Sequence, residues 1–369
     1  MSAPLTIALD ARVAAEVPAG RGRYVRELIR NLVPLLGEHR LELYARERWE
    51  ELPDCEQVRW RTLPGSDLGW AWSAGRAMRG NCDVALATSS YLLCAAARAP
   101  VHSMVWDLAP FHRELHSSRG SVFERVTLPL AVRRCASLVA ISAATRDELI
   151  ARYPSAAART AIAHPAADPS FTTVRPEEDE QALARQGLGR PYVLATGTLE
   201  PRKNLPRLIE AFTSLPEHVR AGRELVLAGA PGWETAETFA HVARHARMVK
   251  TLGYVPDEDL PALYRNADVF CYPSLYEGFG IPVLEAMCCG TAVLTSGRSS
   301  MPEVAGDAAR YVNPEDTAEI ARGLSELLSD ALLRETLVTR GLKRAQQFTW
   351  EGTARAVLAV LEDGSHRRG

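Results

Sequence analysis

Short apolar runs alternate along the chain with segments whose apolar residues recur every three or four positions. The runs of strand length are Leu5–Leu9, Leu41–Tyr44, Val84–Thr88, Ser103–Trp106, Ser137–Ile141, Tyr192–Ala195, Glu224–Ala228, Val269–Tyr272 and Thr291–Thr295. Between two of them, Leu205, Leu208, Ile209 and Phe212 fall at i, i+3, i+4 and i+7, which lines one face of a helix. This alternation predicts an α/β fold whose parallel sheets carry helices on both faces.

The length of the chain predicts more than one domain. With 369 residues it exceeds the size at which a single hydrophobic core usually stops growing. The polar stretch from Thr172 to Gly189 is the best candidate for a linker. We therefore expect an N-terminal domain at 1–172, a linker at 173–189 and a C-terminal half from 190 onward.

Composition narrows the class of protein. A content of 47% hydrophobic and 24% charged residues is typical of a globular protein, and the net charge of −2 argues against a nucleic-acid binder. No run of 18 apolar residues and no signal peptide is found, so no transmembrane segment is expected. The slight basic excess of residues 1–172 leaves peripheral membrane contact open. Seven scattered cysteines predict reduced thiols, a cytoplasmic location and no metal site.

The segment Tyr276–Gly290 is the most informative, because it follows the predicted strand Val269–Tyr272. Gly278 and Gly280 let the backbone approach a ligand closely. Pro282 suits the start of a helix, so the N–H groups around Gly280 and Ile281 would form an anion site at a helix N-terminus.

Two carboxylates accompany this anion site. Glu277 precedes the turn and Glu285 follows it by one helical turn or less. Carboxylate oxygens suit the recognition of vicinal hydroxyls. The alternative is a glycine turn with two solvated glutamates.

A second segment, Leu194–Pro206, predicts a diphosphate site. A strand ends at Gly197, a helix begins near Asn204, and Arg202 and Lys203 stand between them. Two cations beside a helix start provide charge-assisted hydrogen bonds and neutralise a leaving group. In isolation the pair could equally be solvated, but two anion sites at strand ends of one domain favour a ligand.

These residues resemble the family 4 retaining glycosyltransferases. The resemblance rests on Glu200-Pro-Arg-Lys-Asn204, Glu277-Gly-Phe-Gly-Ile-Pro-Val-Leu-Glu285, Leu225-Val-Leu-Ala-Gly229, Gly253-Tyr-Val-Pro256, Ser300-Met-Pro-Glu-Val-Ala-Gly306 and Phe348-Thr-Trp350, and more loosely on Asp10-Ala-Arg12, Gly20-Arg-Gly-Arg-Tyr24 and Ile141-Ser142. It implies a GT-B fold, in which two Rossmann-like domains face each other across a cleft. The C-terminal domain would span 190–350, and a helix within 351–369 would cross back to the N-terminal domain.

The resemblance also implies roles for individual residues. Arg202 and Lys203 would bind the donor diphosphate, and Glu285 the ribose hydroxyls. Glu277, with the amides of Phe279 and Gly280, would hold the transferred sugar. The implied donor site also includes Gly20 and Gly22 in a loop that closes on the phosphates, Gly229, Tyr254 and Val255 beside the nucleobase, and Gly197, Gly278 and Ile281. Arg202, Lys203 and Glu277 would carry catalysis without a cofactor or a metal.

One segment departs from the family pattern. The family often has a His-Asp pair after an N-terminal strand, whereas this chain has Trp106 beside Asp107. Trp106 is interpreted either as a wall of the sugar or acceptor pocket or as part of the core.

The function expected from the resemblance is that of a retaining, metal-independent hexosyltransferase. The N-terminal pattern around Gly20, Gly22 and Tyr24 favours GDP-mannose as donor, with UDP-hexoses next. The acceptor hydroxyl could belong to a carbohydrate, a lipid-linked molecule or a small molecule. The alternatives are a GT-B nucleotide-sugar epimerase or phosphorylase, and a non-catalytic protein that binds sugar nucleotides. A Rossmann dehydrogenase is disfavoured, because Val25 stands where the third glycine of its fingerprint should be.

Overall fold

A computed structural model of the protein describes residues 3–17, 20–49, 51–52, 55–112, 119–189 and 191–366. The chain divides into two compact units. The first unit consists of Met1–Pro165 together with Thr349–Gly369, and the second unit is Ala166–Phe348.

In the described part of the first unit, seven parallel strands form one sheet in the order β3-β2-β1-β4-β5-β6-β7. In chain order its elements are β1 (Thr6–Asp10), α1 (Arg12–Glu16), α2 (Arg21–Leu32), β2 (Arg40–Ala45), β3 (Val58–Thr62), α3 (Asp67–Ala77), β4 (Val84–Ala87), α4 (Leu93–Ala96), β5 (Val101–Val105), α5 (Arg119–Arg134), β6 (Ser137–Ala140), α6 (Ala143–Arg152) and β7 (Thr160–Ile162). The strand order reverses between β1 and β4.

The second unit repeats this plan with six parallel strands over its described residues, in the order β10-β9-β8-β11-β12-β13. Its elements are α7 (Glu178–Arg185), β8 (Tyr192–Thr196), α8 (Leu205–Ser214), α9 (Glu217–Arg220), β9 (Glu224–Ala228), α10 (Ala236–Arg244), β10 (Val249–Gly253), α11 (Leu260–Arg265), β11 (Val269–Tyr272), α12 (Ile281–Cys288), β12 (Val293–Ser296), α13 (Met301–Ala305), β13 (Ala309–Val312), α14 (Thr317–Ser329) and α15 (Ala331–Ala345). Here the order reverses between β8 and β11.

The last helix, α16 (Trp350–His366), belongs to the first unit and packs against α2. Its apolar residues Ala354, Val357 and Leu361 are fully buried. Their spacing of three and four places them on one helical face, which explains why this face is covered. The ring of Trp350 meets Tyr24 of α2 edge to face, with 5.3 Å between centroids.

The predicted α/β fold with two parallel sheets is confirmed, and so is the amphipathic helix over α8. Leu208, Ile209 and Phe212 are fully buried in the core of the second unit. None of the helices within the described ranges combines the length and the apolar composition needed to cross a bilayer.

The segment predicted as a linker, 173–189, is instead part of the second unit and contains α7. The carboxylate of Asp179 accepts from Nε of Arg265 at 2.9 Å and from Nη2 at 2.5 Å, and both residues are buried. Arg185 and Gln186 both donate to the buried Asp259, at 2.5 and 2.9 Å. The polar residues that suggested a linker therefore serve to fasten α7 to α11, and the units divide at 165/166.

Candidate functional site

The candidate site lies at the carboxyl ends of β8 and β11, the neighbouring strands between which the order of the second sheet reverses. At such a switch point the loops after the two strands diverge and leave a crevice for a ligand. The loop after β8 carries Arg202 and Lys203, and the loop after β11 carries Glu277. The sequence thus predicted residues that the topology does bring together.

The backbone of the two loops is fastened by hydrogen bonds. Asn204, in the left-handed region at φ 60°, precedes α8, and its side-chain amide donates to the carbonyl of Pro273 at 3.1 Å. The N–H of Leu275 donates to the carbonyl of Arg202 at 2.8 Å. The cations on one loop are therefore held in register with the carboxylate on the other.

Glu277 bridges the two cations. Its Oε1 atom lies 2.7 Å from Nζ of Lys203, and its Oε2 atom is bound by Nη1 of Arg202. The other side of the Arg202 guanidinium pairs with Glu200 at 2.5 Å, and Nζ of Lys203 also donates to the hydroxyl of Tyr272. The side chains of Lys203 and Glu277 are 8% and 7% exposed, and that of Arg202 is 23% exposed. The cluster is thus largely shielded from water, with the guanidinium as its most accessible member.

Burial and charge act in opposite directions on the ionisable groups of this cluster. Burial alone would raise the pKa of Glu277, but Arg202 and Lys203 outweigh it and lower that pKa from 4.5 to about 2. Burial and the adjacent Arg202 lower the pKa of Lys203, which Glu277 partly restores. The carboxylate therefore stays ionised at neutral pH and neutralises cations that would be costly to bury alone.

The glycine-rich segment leads directly into α12. At Gly280 the backbone has φ 121°, and a Cβ there would lie 2.4 Å from Cε of Met301. The hydroxyl of Ser300 donates to the carbonyl of Glu277 at 2.9 Å and to that of Phe279 at 2.5 Å. The neighbouring Ser299 also holds the loop, because its Oγ atom accepts from the N–H of Glu277 at 3.0 Å. Ile281 begins α12, one residue before the predicted start at Pro282, so the first-turn N–H groups point toward this end of the sheet.

Glu285 occupies a different environment from Glu277. It is buried within α12, one turn beyond the helix start, and its Oε2 atom accepts from the hydroxyl of Tyr264 at 2.9 Å. The same hydroxyl lies 2.6 Å from Oγ1 of Thr196, the last residue of β8. The second carboxylate thus accepts from a neutral hydroxyl, whereas the first is held by cations.

The backbone segments that follow β8 and β9 also approach each other closely. A Cβ on Gly229 would lie 2.0 Å from the carbonyl oxygen of Gly197, so only glycine fits there. The N–H of Gly229 donates to the carbonyl of Gly253 at 2.7 Å. Next along the chain, Tyr254 is 61% exposed, whereas the side chain of Val255 is buried. Of this predicted pair, only the tyrosine offers its side chain to a ligand.

The two N-terminal glycines of the predicted donor site lie in different surroundings. Gly20, at φ 57°, lies in the turn before α2. Gly22 lies inside α2, and a Cβ there would be 1.8 Å from the carbonyl oxygen of Val17 and 2.6 Å from that of Val13. Gly22 thus lies in a helix and not in the predicted loop, where close packing of α2 against α1 by itself requires a glycine, and its contact with the donor stays a prediction.

Trp106 packs inside the first unit. It is 6% exposed, its indole N–H donates to the carbonyl of Thr88 at 2.8 Å, and its ring meets Tyr24 edge to face at 5.0 Å. Asp107 accepts from the N–H of Ala109 at 2.9 Å, which caps the following turn. These contacts favour the interpretation of Trp106 as core.

Several residues of the site were not singled out from the sequence. Glu200 and Tyr272 stood within or beside the quoted segments, so their contact with the cations could have been suspected. Tyr264 had no such signal, because it lies on α11 and reaches Glu285 only through the folding of the second unit.

Residues 177–344 match the protein family described as "Glycosyl transferases group 1". This confirms, for that part of the chain, the resemblance found in the sequence. The match begins at α7 and ends within α15, so it includes both strand ends that build the site.

Among curated proteins, the chain is 40% identical over 217 residues to "O-antigen chain mannosyltransferase B" of Escherichia coli, a match that covers 58% of this chain and 57% of that protein. It is 31% identical over 251 residues to the "Serotype-specific mannosyltransferase WbdA" of Escherichia coli, covering 66% of this chain and 30% of that protein. The matched part thus spans little more than half of the first relative and less than a third of the second.

Solved structures show the same fold. The crystal structure of Anabaena Alr3699/HepE in complex with UDP and glucose superposes with a TM-score of 0.77 at 19% identity, covering 97% of this chain and 100% of that one. Sucrose-phosphate synthase from Thermosynechococcus elongatus gives a TM-score of 0.78 at 19% identity, covering 97% and 98%. At this identity the likeness confirms the predicted GT-B fold class and carries no further conclusion.

Proposed function

We propose that the protein transfers a hexose from a nucleoside diphosphate sugar to a hydroxyl acceptor, because residues 177–344 match the group 1 glycosyl transferases. The observation that carries the proposal is the cluster of Arg202, Lys203 and Glu277 at the switch point of the second sheet. A diphosphate leaving group needs cations fixed in place before it arrives, and these two are fixed by a shared carboxylate.

The two cations would stabilise the departing diphosphate. Arg202 has five N–H donors and Lys203 has three, so each can bind phosphate oxygens while keeping its bond to Glu277. The cluster by itself has no net charge, since it pairs Arg202 and Lys203 with Glu200 and Glu277. The N–H groups at the start of α12 would therefore assist the cations in binding the negative diphosphate. Charge neutralisation by side chains makes a metal-independent reaction the natural proposal.

The two glutamates would bind different parts of the donor. Glu285 is proposed to bind the ribose hydroxyls, and Glu277, with the amides of Phe279 and Gly280, to hold the transferred sugar. Tyr254, exposed after β10, is proposed to border the nucleobase. We further propose that the reaction retains the anomeric configuration, as the family resemblance implies.

GDP-mannose is the first donor to test, because both curated relatives described above are named mannosyltransferases. UDP-hexoses come next. The acceptor is proposed to be a carbohydrate, a lipid-linked molecule or a small molecule, and the reaction to take place in the cytoplasm, where the free thiols of this chain would stay reduced.

The proposal is tested first by thermal denaturation of the whole protein with GDP, UDP or dTDP. A nucleotide that binds the folded protein at 100 times its dissociation constant stabilises it by about 2.7 kcal/mol, which a melting curve resolves. Absence of a shift with all three nucleotides would contradict the proposal.

The second test is incubation with the matching nucleotide sugar, with and without an acceptor mixture. We expect nucleotide release to depend on acceptor and to persist in EDTA. Consumption of the donor alone, with inversion at a sugar carbon, would indicate an epimerase. Binding with no turnover under any condition would indicate a non-catalytic protein.

A further inference from the structure

The hydroxyl of Tyr264 stands between two elements of the proposed nucleotide site. Tyr264 is fully buried, with Oε2 of Glu285 at 2.9 Å and Oγ1 of Thr196 at 2.6 Å from its oxygen. Thr196 ends β8 and Glu285 lies on α12, so one phenol joins a strand end of the switch point to the helix that carries the carboxylate.

The chemistry of the three groups fixes the direction of these hydrogen bonds. An ionised carboxylate only accepts, whereas a phenol has one proton to donate and lone pairs with which to accept. Tyr264 therefore donates to Glu285 and accepts from Thr196. Burial and the charge of Glu285 raise the pKa of Tyr264 far above its ordinary value, which keeps the proton on the phenol throughout the physiological range.

The position of the ring is determined from several sides. It packs against Phe171 and Phe270, with centroid distances of 5.6 and 5.1 Å. The carbonyl of Tyr264 accepts from Oγ1 of Thr291 at 2.6 Å, and the next residue, Arg265, is bound by Asp179 of α7. A phenol supported in this way has little freedom to turn, so the oxygen to which it donates is held as well.

We propose that Tyr264 is a positioning residue for nucleotide recognition: it fixes one carboxylate oxygen of Glu285 so that the group meets the ribose hydroxyls in a single orientation. The inference rests on the proposed function, since it requires that Glu285 binds the donor. The ribose is unchanged during transfer, so the interaction contributes equally to the ground state and the transition state. Removal of the phenol hydroxyl therefore raises KM and leaves kcat nearly unchanged.

The test is Tyr264→Phe, with Tyr192→Phe as matched control. Tyr192 is also buried in the second unit, and its hydroxyl donates at 2.7 Å to the carbonyl of Leu263, so the control removes a buried phenol hydroxyl that bonds the backbone of α11 and not the carboxylate. We expect Tyr264→Phe to raise the dissociation constant of the bound nucleotide and the KM of the donor about tenfold, the effect of one lost hydrogen bond to a charged group. The control should leave both constants within about twofold of wild type.

A double-mutant cycle with Glu285→Gln separates positioning from general stability. If Tyr264 acts through Glu285, Tyr264→Phe should weaken binding far less in the Glu285→Gln background than in wild type. Equal weakening in both backgrounds, or equal effects of the two tyrosine variants, would overturn the inference. Should Tyr264→Phe fail to fold, Thr196→Val removes the hydroxyl that donates to Tyr264. An unchanged dissociation constant of the nucleotide in that variant would also overturn the inference.

The outcomes also separate this inference from the proposed function. If Glu285→Gln weakens nucleotide binding and Tyr264→Phe does not, the positioning role alone is refuted. If wild type binds none of GDP, UDP and dTDP, the proposed function fails and the inference falls with it.

Discussion

Replacing Glu277 by glutamine removes the carboxylate that Arg202 and Lys203 share while keeping the size of the side chain. In the wild-type protein both oxygens of Glu277 are engaged by these cations in a largely buried cluster. The substitution leaves two positive charges with one carboxylate fewer between them. Since an uncompensated buried charge is costly, we expect the second unit to lose stability and catalysis to suffer as well.

The pKa of Glu277 sets the size of the effect. A fall from 4.5 to about 2 corresponds to about 3 kcal/mol of stabilisation at pH 7. Because the folded-state pKa is the lower one, this stabilisation is fully present above the unfolded-state pKa and is lost as the pH falls through the folded-state pKa. The difference between wild type and Glu277→Gln should thus shrink to less than half of its pH 7 value at pH 3.

The measurement is hydrogen exchange of the β8 and β11 amides, which reports the free energy of opening of this part of the sheet. Exchange is compared between wild type and variant at pH 7 and pH 3, each corrected for the intrinsic rate at that pH. The matched control is Glu200→Gln, which removes a carboxylate that pairs with Arg202 and leaves the bond between Lys203 and Glu277 intact. We expect the control to cost clearly less.

Two results would refute the reasoning. A loss below about 1 kcal/mol at pH 7 would mean that the cations do not depend on this carboxylate. A loss that is equally large at pH 3 would mean that the substitution acts through packing, because a charge effect has to follow the protonation of Glu277.

Three further variants test other parts of the structure. Lys203→Ala should lower kcat by about 10²- to 10³-fold, as expected for one preorganised charge-stabilising donor, and unchanged turnover would place the diphosphate elsewhere. Trp106→His should destabilise the first unit by about 2–4 kcal/mol in urea unfolding without changing donor preference. The control Trp72→His, at a side chain that is 55% exposed, should leave the stability nearly unchanged. Altered donor preference in Trp106→His would restore the pocket interpretation. Asp179→Asn should cost about 3 kcal/mol in the exchange of α11 amides because it breaks a buried pair with Arg265, and no effect would reinstate 173–189 as a linker.

The central strands of both sheets were predictable from the sequence, and the edge strands were not. β9 and β11 have the predicted bounds, and the other predicted strands differ by a few residues at most. The four strands that no apolar run announced, β3, β7, β10 and β13, are the outermost strands of the two sheets over the described residues. An edge strand is covered on fewer sides, so it carries half-exposed polar residues and lacks the continuous apolar run of a buried parallel strand.

Within the site, the sequence predicted which groups carry charge but not how they neutralise one another. Arg202, Lys203 and Glu277 were recognised because each follows a strand that could be predicted. Their mutual pairing depends on β8 and β11 being neighbours, which is a property of the sheet and not of either segment. For the same reason Tyr264, about 20 residues from Glu285 along the chain and on another helix, gave no local signal.

The interrupted course of the first unit bears on how the protein forms during translation. Its sheet comes from residues before Pro165, but α16, which covers α2, leaves the ribosome only after the whole of Ala166–Phe348. Until then Tyr24 lacks Trp350, its partner from α16, and the face of α2 that α16 covers stays open to water. The second unit, continuous in sequence, can finish its core while the first still waits for its last helix. The first unit is therefore the part of the nascent chain that would need a chaperone, and it would stay incomplete if translation stopped before α16.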